Sequence, residues 1–192
     1  GPSANRFGRV SPTRAEHVVS EFGDALPVLD GGPCQVGIES TIVDCTRDRP
    51  VLLRPGMLDI DHLSSTVGMR ILSPEQAQPV LQAPSPKASG TLASHYAPDA
   101  RVRLLDAHDM ARAAQELSPD DLCGVAVWSP DRPEFQPGHW LAMPSDPAHC
   151  AQRLFQVLRD FERLGVSEIW VCPPPAGPIW DGVRDRLTRA SH

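Results

Sequence analysis

The chain has 192 residues, of which 41% are apolar, and its formal net charge is −6. That length suits one large or two small domains. The negative charge argues against a protein that wraps nucleic acid, because such proteins usually present a basic face. No apolar run approaches the roughly 18 residues that a membrane span needs. No secretory signal pattern is visible either, so we expect no membrane association.

Five cysteines are scattered along the chain, and none forms a Cys-x-x-Cys pair. This spacing argues against a zinc site, and we expect no metal held by the protein. Cys45, Cys123 and Cys172 lie in apolar runs that resemble strands. We therefore predict reduced, mostly buried thiols and a cytoplasmic protein.

The first predicted element is a short amphipathic helix. Ser11 is predicted as its N-cap, Pro12 as its first residue, Phe22 as part of its apolar face and Gly23 as its stop. The free N–H groups at a helix N-terminus favour an anion.

A Gly/Ser-containing loop therefore precedes a helix N-terminus, and two interpretations stay open. Ser3, Asn5, Gly8 and Ser11 could line an anion site, or the loop could be an ordinary capped surface loop.

Two strands follow, predicted over Ile38–Cys45 and Pro50–Arg54 with a turn between them. The first strand is unusual because Glu39, Ser40 and Thr41 stand together in its middle. Buried polar groups each need a hydrogen-bond partner or cost about 1–3 kcal/mol. A sheet face that meets a polar ligand would explain them, and so would an edge strand that faces water.

Arg54 ends the second strand and precedes a proline, so its backbone should be extended. An arginine in that position is often solvated. Beside a pocket lined by glycine and serine, its planar fork could instead bind a phosphate.

Many of the 21 prolines fall between residues 73 and 98, in a stretch with little periodicity. This composition predicts an extended linker rather than a helix. We divide the chain accordingly into residues 1–72, a linker over 73–100, and a second segment over 101–192.

The second segment alternates predicted strands and helices. The strands are predicted over Arg101–Asp106, Cys123–Ser129 and Glu168–Cys172. Helices are predicted over Asp109–Leu117, Asp146–Leu164 and Gly177–Arg189. Such alternation predicts a small parallel α/β sheet of the Rossmann-like kind.

Four motifs, read in order, carry a family resemblance: PSANRFGRVSPT, GPCQVGIESTIVD, VLLRPG and SGTLASHYAP. Together they closely resemble the two-domain threonylcarbamoyl-adenylate synthases. In that family a YrdC-like α/β domain is joined by a proline-rich linker to a smaller C-terminal α/β domain. The implied fold is the C-terminal part of a YrdC-like domain, the linker, and then the small Rossmann-like domain.

The resemblance implies a reaction in which L-threonine, bicarbonate and ATP form threonylcarbamoyl-AMP and pyrophosphate. Mg²⁺ is expected with ATP because it neutralises the phosphates. The product serves tRNA modification, so the tRNA threonylcarbamoyl-transfer machinery and RNA are possible partners.

The resemblance also assigns roles to residues. It places Ser3, Asn5, Ser11, Arg54 and Tyr96 at the nucleotide, and Ser40 with Thr41 at threonine. Tyr96 would lie where the linker folds back over the pocket, with His95 as its neighbour. No catalytic residue is assigned.

The family's N-terminal half, with a Lys-x-Arg motif, has no match here. We therefore expect this chain alone to be inactive and its sheet to have an open edge. The alternatives are a non-catalytic nucleotide- or RNA-binding module and a carbamoyl-transfer domain of the hydrogenase-maturation kind. The HYAP motif and the second α/β segment argue against the latter.

Overall fold

The structure is a computed structural model that describes residues 3–77, 88–90, 92 and 94–192. Residues 78–87, 91 and 93 of the predicted linker lie outside the described residues, so the extended conformation predicted there stays a prediction. The described part of the linker begins with a helical turn, Pro74–Ala77, where we had predicted extended chain. Among the described residues, no helix is long and apolar enough to cross a membrane.

Seven helices and six strands make up the described chain. In order they are α1 (Ala15–Phe22), β1 (Ile42–Asp44), β2 (Val51–Arg54), α2 (Ile60–Val67), α3 (Pro74–Ala77), β3 (Arg101–Leu104), α4 (Ala107–Gln115), α5 (Pro119–Cys123), β4 (Val125–Ser129), β5 (His139–Ala142), α6 (Pro147–Arg163), β6 (Glu168–Val171) and α7 (Asp181–Ala190). Short 3₁₀ turns cover Gly23–Ala25 and Pro178–Trp180.

The second segment is the parallel α/β unit that its alternating pattern predicts. Its four strands lie in the order β3-β6-β4-β5, and every pair is parallel. The edge strand β5 was missed, because His139–Ala142 is only four residues long and follows a proline-rich loop. The predicted start of α6 is confirmed: the side chain of Asp146 accepts from the His149 N–H.

The core lies mainly on the face of this sheet that is covered by α6 and α7. Leu154, Phe155 and Leu158 of α6 are fully buried there, together with Ile169 of β6. A smaller cluster under α4 covers the opposite face and contains Met110 and Trp170. Sequestering both faces explains why β4 is buried along its whole length.

The first segment has less regular structure than predicted. The strand predicted over Ile38–Cys45 shortens to Ile42–Asp44, which pairs antiparallel with β2. Residues 38–41 are irregular because their side chains and carbonyls are hydrogen-bonded to other elements of the fold.

The helix start is a second correction in this segment. The N-cap of α1 is Arg14 and not Ser11, and Pro12 precedes the helix. The Ser11 hydroxyl is committed elsewhere, since it donates to Glu39 at 2.6 Å. The predicted stop at Gly23 is confirmed by its positive φ of 59°.

All five cysteines are free, but the prediction that most of them are buried is wrong. Cys34, Cys45 and Cys123 are exposed and Cys172 is half-buried. Cys150 is the buried one, and burial raises the pKa of its thiol to about 12.

Candidate functional site

A cavity of about 530 Å³ lies beside the irregular stretch before β1. It is lined by Val36, Ile38, Glu39, Ser40, Thr41, Val43, Met57, Leu58 and Leu63. Its wall therefore combines apolar side chains with two hydroxyls and a carboxylate. A pocket of this size and mixed lining is typical of small-molecule sites.

Both predicted threonine-binding residues line this cavity. Ser40 is exposed, while Thr41 is half-buried and its Oγ1 donates to the Leu58 carbonyl at 2.9 Å. Gly56 packs against this stretch so closely that an added Cβ would lie 2.4 Å from the Thr41 nitrogen. The site therefore requires a glycine in the RPG motif, at the point where two backbone segments touch.

Arg54 lies at the end of β2 and is only 6% exposed. Its Nε and Nη2 donate to the Ser40 carbonyl at 3.1 and 3.0 Å, and its Nη1 donates to the Ser89 carbonyl at 2.9 Å. All three guanidinium nitrogens thus contact backbone carbonyls. Arg54 therefore connects the pocket wall at Ser40 to the linker at Ser89. Its contact with phosphate stays a prediction.

Tyr96 is 1% exposed and lies in the same region as Arg54. A Cβ on Gly90 would lie 2.1 Å from the Tyr96 hydroxyl oxygen and 3.0 Å from Nη1 of Arg54, so both side chains flank this glycine. The Tyr96 ring packs on Phe155 with a centroid distance of 5.2 Å. Its hydroxyl oxygen is buried and has no hydrogen-bond partner among the described atoms. Burial raises the pKa of this phenol.

The backbone of Tyr96 is also unusual, since its φ is +62°. A non-glycine residue in the left-handed region costs free energy, and such residues are enriched at functional sites. His95 packs edge-on against the tyrosine ring at 4.1 Å, and burial lowers the pKa of its imidazole. The HYAP motif is thus an ordered, docked segment of the fold.

The N-terminal loop contacts the HYAP motif directly. The Ala97 N–H donates to the Gly8 carbonyl at 3.1 Å, and Arg9 and Ala97 form an isolated parallel bridge. Asn5 folds back on this loop, donating to the carbonyls of Arg6 and Arg9 at 2.9 and 3.2 Å. The side-chain oxygen of Asn5 is buried without a partner among the described atoms.

Of the predicted nucleotide residues, the structure brings Ser11, Arg54 and Tyr96 to one network around Glu39. Ser3 is exposed on the N-terminal loop, and Asn5 lies in the turn of that loop. Sequence reasoning missed Glu39 and Arg186 as the centre of this network. Glu39 carried a signal, as a charged residue in an apolar stretch, whereas Arg186 looks like any exposed residue of a charged helix.

The hydrogen bonds of Glu39 bear on whether its carboxylate could bind Mg²⁺ at this pocket. One carboxylate oxygen of Glu39 accepts from Ser11, and the other accepts from Arg186 at 2.8 Å. Both carboxylate oxygens therefore already accept from protein donors, which argues against Glu39 as a metal ligand. A cluster of Asp106, His108 and Asp109 has ligand atoms within 4.8 Å of one another, but it lies at the start of α4.

Fold and site together define an α/β protein with a small-molecule pocket beside a docked HYAP segment. Comparisons with known proteins then identify its family. The family described as "Threonylcarbamoyl-AMP synthase, C-terminal domain" matches residues 55–192, and the one described as "Telomere recombination" matches residues 1–56. This chain belongs to the threonylcarbamoyl-AMP synthase C-terminal domain family, as the motifs predicted.

Curated relatives agree with that assignment. A threonylcarbamoyl-AMP synthase of Pyrococcus abyssi is 32% identical over 99% of this chain and 56% of its own length. One from Schizosaccharomyces pombe is 30% identical over 88% of this chain and 46% of its own. One from Bacillus subtilis is 38% identical over 55% of this chain and 30% of its own. The chain thus spans about half the length, or less, of these relatives.

Solved structures show the same similarity in three dimensions. The crystal structure of P. abyssi Sua5 complexed with L-threonine aligns with a TM-score of 0.78 at 30% identity, covering 99% of this chain and 56% of that one. A second P. abyssi structure, with two alanine substitutions, aligns with a TM-score of 0.79 at 28% identity and the same coverage. The predicted two-part α/β architecture is therefore confirmed.

Proposed function

We propose that this protein functions as a threonylcarbamoyl-AMP synthase, which condenses L-threonine, bicarbonate and ATP and releases pyrophosphate. The observation that carries the proposal is the cavity lined by Glu39, Ser40 and Thr41 beside the buried guanidinium of Arg54. The named relatives favour this enzyme over a non-catalytic nucleotide- or RNA-binding module.

The lining of the cavity suits threonine. The Ser40 hydroxyl offers one donor and two acceptor lone pairs to a polar substrate, and Thr41 keeps acceptor capacity after donating to Leu58. Ile38, Met57 and Leu63 supply apolar surface for the substrate's methyl group. The solved relative that was crystallised with L-threonine supports a site for this amino acid in the fold.

The chemistry requires two anions, a carbamate and a phosphate, to meet. Catalysis of such a step depends on positioning and on exclusion of water more than on proton transfer. We propose that Arg54 and Tyr96 define the nucleotide side of the cavity, together with Ser3, Asn5 and Ser11, whose loop contacts the HYAP motif. Mg²⁺ would enter with ATP, as part of the nucleotide substrate.

The proposed compartment is the cytoplasm, which five free cysteines favour. The product would be passed to the tRNA threonylcarbamoyl-transfer machinery. Contact of this chain with that machinery or with RNA stays a prediction.

The test uses the natural full-length protein that contains this sequence. Pyrophosphate release and threonylcarbamoyl-AMP formation are measured with each of the three substrates omitted in turn. We expect product only when all three are present. Binding of nucleotide without product, in the presence of all three substrates, would favour the non-catalytic module instead.

Two substitutions then test the assigned sides of the cavity. Ser40→Ala should weaken threonine binding several-fold and leave ATP binding nearly unchanged, as measured by calorimetry with each ligand separately. Arg54→Ala separates two roles of this arginine. A phosphate ligand predicts the larger loss for ATP, whereas a brace for the Ser40 carbonyl predicts the larger loss for threonine.

A further inference from the structure

Arg186 lies in α7, on the second α/β segment, and its side chain is fully buried. Its guanidinium points out of that segment towards the pocket wall. Nε donates to Oε2 of Glu39 at 2.8 Å, Nη2 donates to the Glu39 carbonyl at 3.2 Å, and Nη1 donates to the Pro55 carbonyl at 2.9 Å. Nη1 also contacts Asp185 at 2.8 Å. Helix α7 does not line the pocket, but its Arg186 is bonded to two segments of the pocket wall, at Glu39 and at Pro55.

Two arginines from different elements donate hydrogen bonds to consecutive backbone carbonyls of the pocket wall. Arg186 binds the Glu39 carbonyl, and Arg54 binds the next one along, that of Ser40. Arg186 also binds the carbonyl of Pro55, the residue after Arg54. The backbone that presents the Ser40 hydroxyl is therefore fixed from both sides.

The buried charge of Arg186 is matched by Glu39. Burial by itself would raise the pKa of the Glu39 carboxyl, but the charge of Arg186 and hydrogen bonds from Ser11 and Arg186 outweigh it and lower that pKa. The carboxylate thus accepts from both Ser11 and Arg186. In this ion pair the Arg186 side chain is fully buried and that of Glu39 is 21% exposed, and the hydrogen bonds hold the two side chains in one geometry.

Two further contacts bring α7 to the site. The guanidinium carbon of Arg186 lies 5.3 Å from the ring centroid of Tyr96. A Cβ on Gly182, one turn earlier in α7, would lie 2.7 Å from the Gly56 carbonyl and 2.9 Å from Cδ1 of Ile38. The backbones of α7 and the pocket wall therefore approach each other closely at this point.

We propose that Arg186 is a positioning residue through which the C-terminal domain sets the threonine-binding geometry of Glu39, Ser40 and Thr41. It acts through the carbonyls of Glu39 and Pro55 and through the Glu39 carboxylate, and it is not among the residues that line the cavity. This inference rests on the proposed function, since it assigns threonine to the cavity. It gives the C-terminal domain a direct part in substrate affinity.

The main test is Arg186→Lys in the full-length protein. Lysine keeps the charge but cannot donate along several fixed directions at once, so the grip on Glu39 and Pro55 is lost. We expect the Kd for L-threonine, measured by calorimetry, to rise at least fivefold. In steady-state assays the KM for threonine should rise in parallel, while the KM for ATP changes less than twofold.

Arg184→Lys is the matched control on the same helix. Arg184 donates to the carbonyls of Pro175 and Gly177 within its own segment and is partly exposed. We expect less than a twofold change in the Kd for threonine. Glu39→Gln is the second test variant, since it keeps the shape of Glu39 and weakens its bond with Arg186. It should also raise that Kd.

Hydrogen exchange provides a readout without activity. In Arg186→Lys the amides of β1, which pairs with β2 directly after residues 39–41, should exchange at least tenfold faster, whereas those of α6 should not change. The same comparison in Arg184→Lys should show no change in β1.

The outcomes separate this inference from the proposed function. If the unsubstituted protein does not bind threonine, the proposed function fails and the inference fails with it. If it binds threonine and folded Arg186→Lys binds within twofold as well, the proposed function stands and the inference is wrong. A lower melting temperature with an unchanged Kd would likewise make Arg186 a purely structural residue. If Arg186→Lys does not fold, Arg186→Gln is measured in its place and decides in the same way, because Glu39 itself lines the cavity.

Discussion

Residues 3–56 and residues 101–190 differ in how much regular secondary structure and how much core of their own they contain. The second region has its own four-stranded parallel sheet and a 17-residue helix with eight buried residues. The described part of the first has an eight-residue helix and a hairpin with strands of three and four residues. Its buried residues Val10 and Ile38 belong to the core cluster of the second region.

Polar contacts join the two regions in addition to this shared apolar core. Arg159 of α6 donates to the Val10 carbonyl and to Glu21, and Arg186 of α7 donates to Glu39 and Pro55. Gly37 and Gly182 allow backbone segments of the two regions to approach closely at two further points. The first region therefore takes its order from the second, and changes at these contacts should detach it.

The largest effect is expected from Gly37→Ala. Gly37 has a φ of +84°, and a Cβ there would lie 2.4 Å from Cα of Gln152 in α6, which is rigid helix backbone. Strain and overpacking together should reduce the free energy of unfolding by about 3 kcal/mol in urea titrations. Gly31→Ala is the control, because Gly31 has open space around it. Equal stability of the two variants would contradict the proposed close contact.

Arg159→Met should come next. Arg159 is 8% exposed, and its removal leaves Glu21 and the Val10 carbonyl without this donor. Unpaired buried groups of this kind cost a few kcal/mol, so we expect a loss of about 2 kcal/mol. Amides of α1 should lose hydrogen-exchange protection while those of α6 keep it. Arg163→Met, on the exposed face of the same helix, should cost less than about 0.5 kcal/mol.

His17 should make the first region sensitive to acid. It is fully buried, and its Nδ1 accepts from the Thr13 N–H at 3.0 Å, which requires a neutral ring. Burial, with the nearby charges of Arg159 and Arg163, lowers its pKa from 6.5 to about 4. In this window the unfolded chain takes up a proton that the folded chain refuses, so stability falls as pH falls from 6.5 towards 4.

By pH 5 the loss from His17 should reach about 1 to 2 kcal/mol relative to pH 7. His17→Asn, whose oxygen can replace Nδ1 as the acceptor, should flatten this dependence in thermal unfolding curves recorded between pH 5 and 7. His149→Asn, at an exposed position of α6, serves as the control. An unchanged slope in His17→Asn would contradict the assignment.

The smallest effect on stability is expected from Tyr96→Phe. The ring contacts with Phe155 and Arg186 remain, and a buried hydroxyl without a described partner is removed, so stability should stay equal or rise by up to about 1 kcal/mol. If this hydroxyl binds the nucleotide, ATP affinity should nevertheless fall several-fold in the full-length protein. Unchanged ATP affinity would leave Tyr96 as a structural clip between the regions.

Because the family resemblance places Tyr96 where the linker folds back over the pocket, we also predict that the linker acts as a lid anchored by Tyr96, which the full-length protein can test. Tyr96→Ala should increase ATP breakdown to AMP without captured product, because an open pocket admits water. Limited proteolysis between Ser85 and Ser94 should slow when ATP and threonine are added. If ligands leave the cleavage rate and the product yield unchanged, the linker is a tether.

The sequence by itself determined the parts of this protein that depend on local rules. Alternation of apolar strands and helices predicted the parallel α/β unit, and Asp146 with Pro147 predicted the start of α6, because these patterns act within one element. The four motifs in order identified the family, whereas the threonine-binding role that they imply for Ser40 and Thr41 stays a prediction.

Only the tertiary structure decided the rest. Ser11 looks like an N-cap in isolation, but it donates to Glu39, 28 residues away, so α1 begins at Ala15. Glu39 and Arg186 lie 147 residues apart in sequence, and no local pattern links them. Their pairing arises because α7 packs against the RPG loop, and packing over such a separation depends on the whole fold rather than on neighbouring residues.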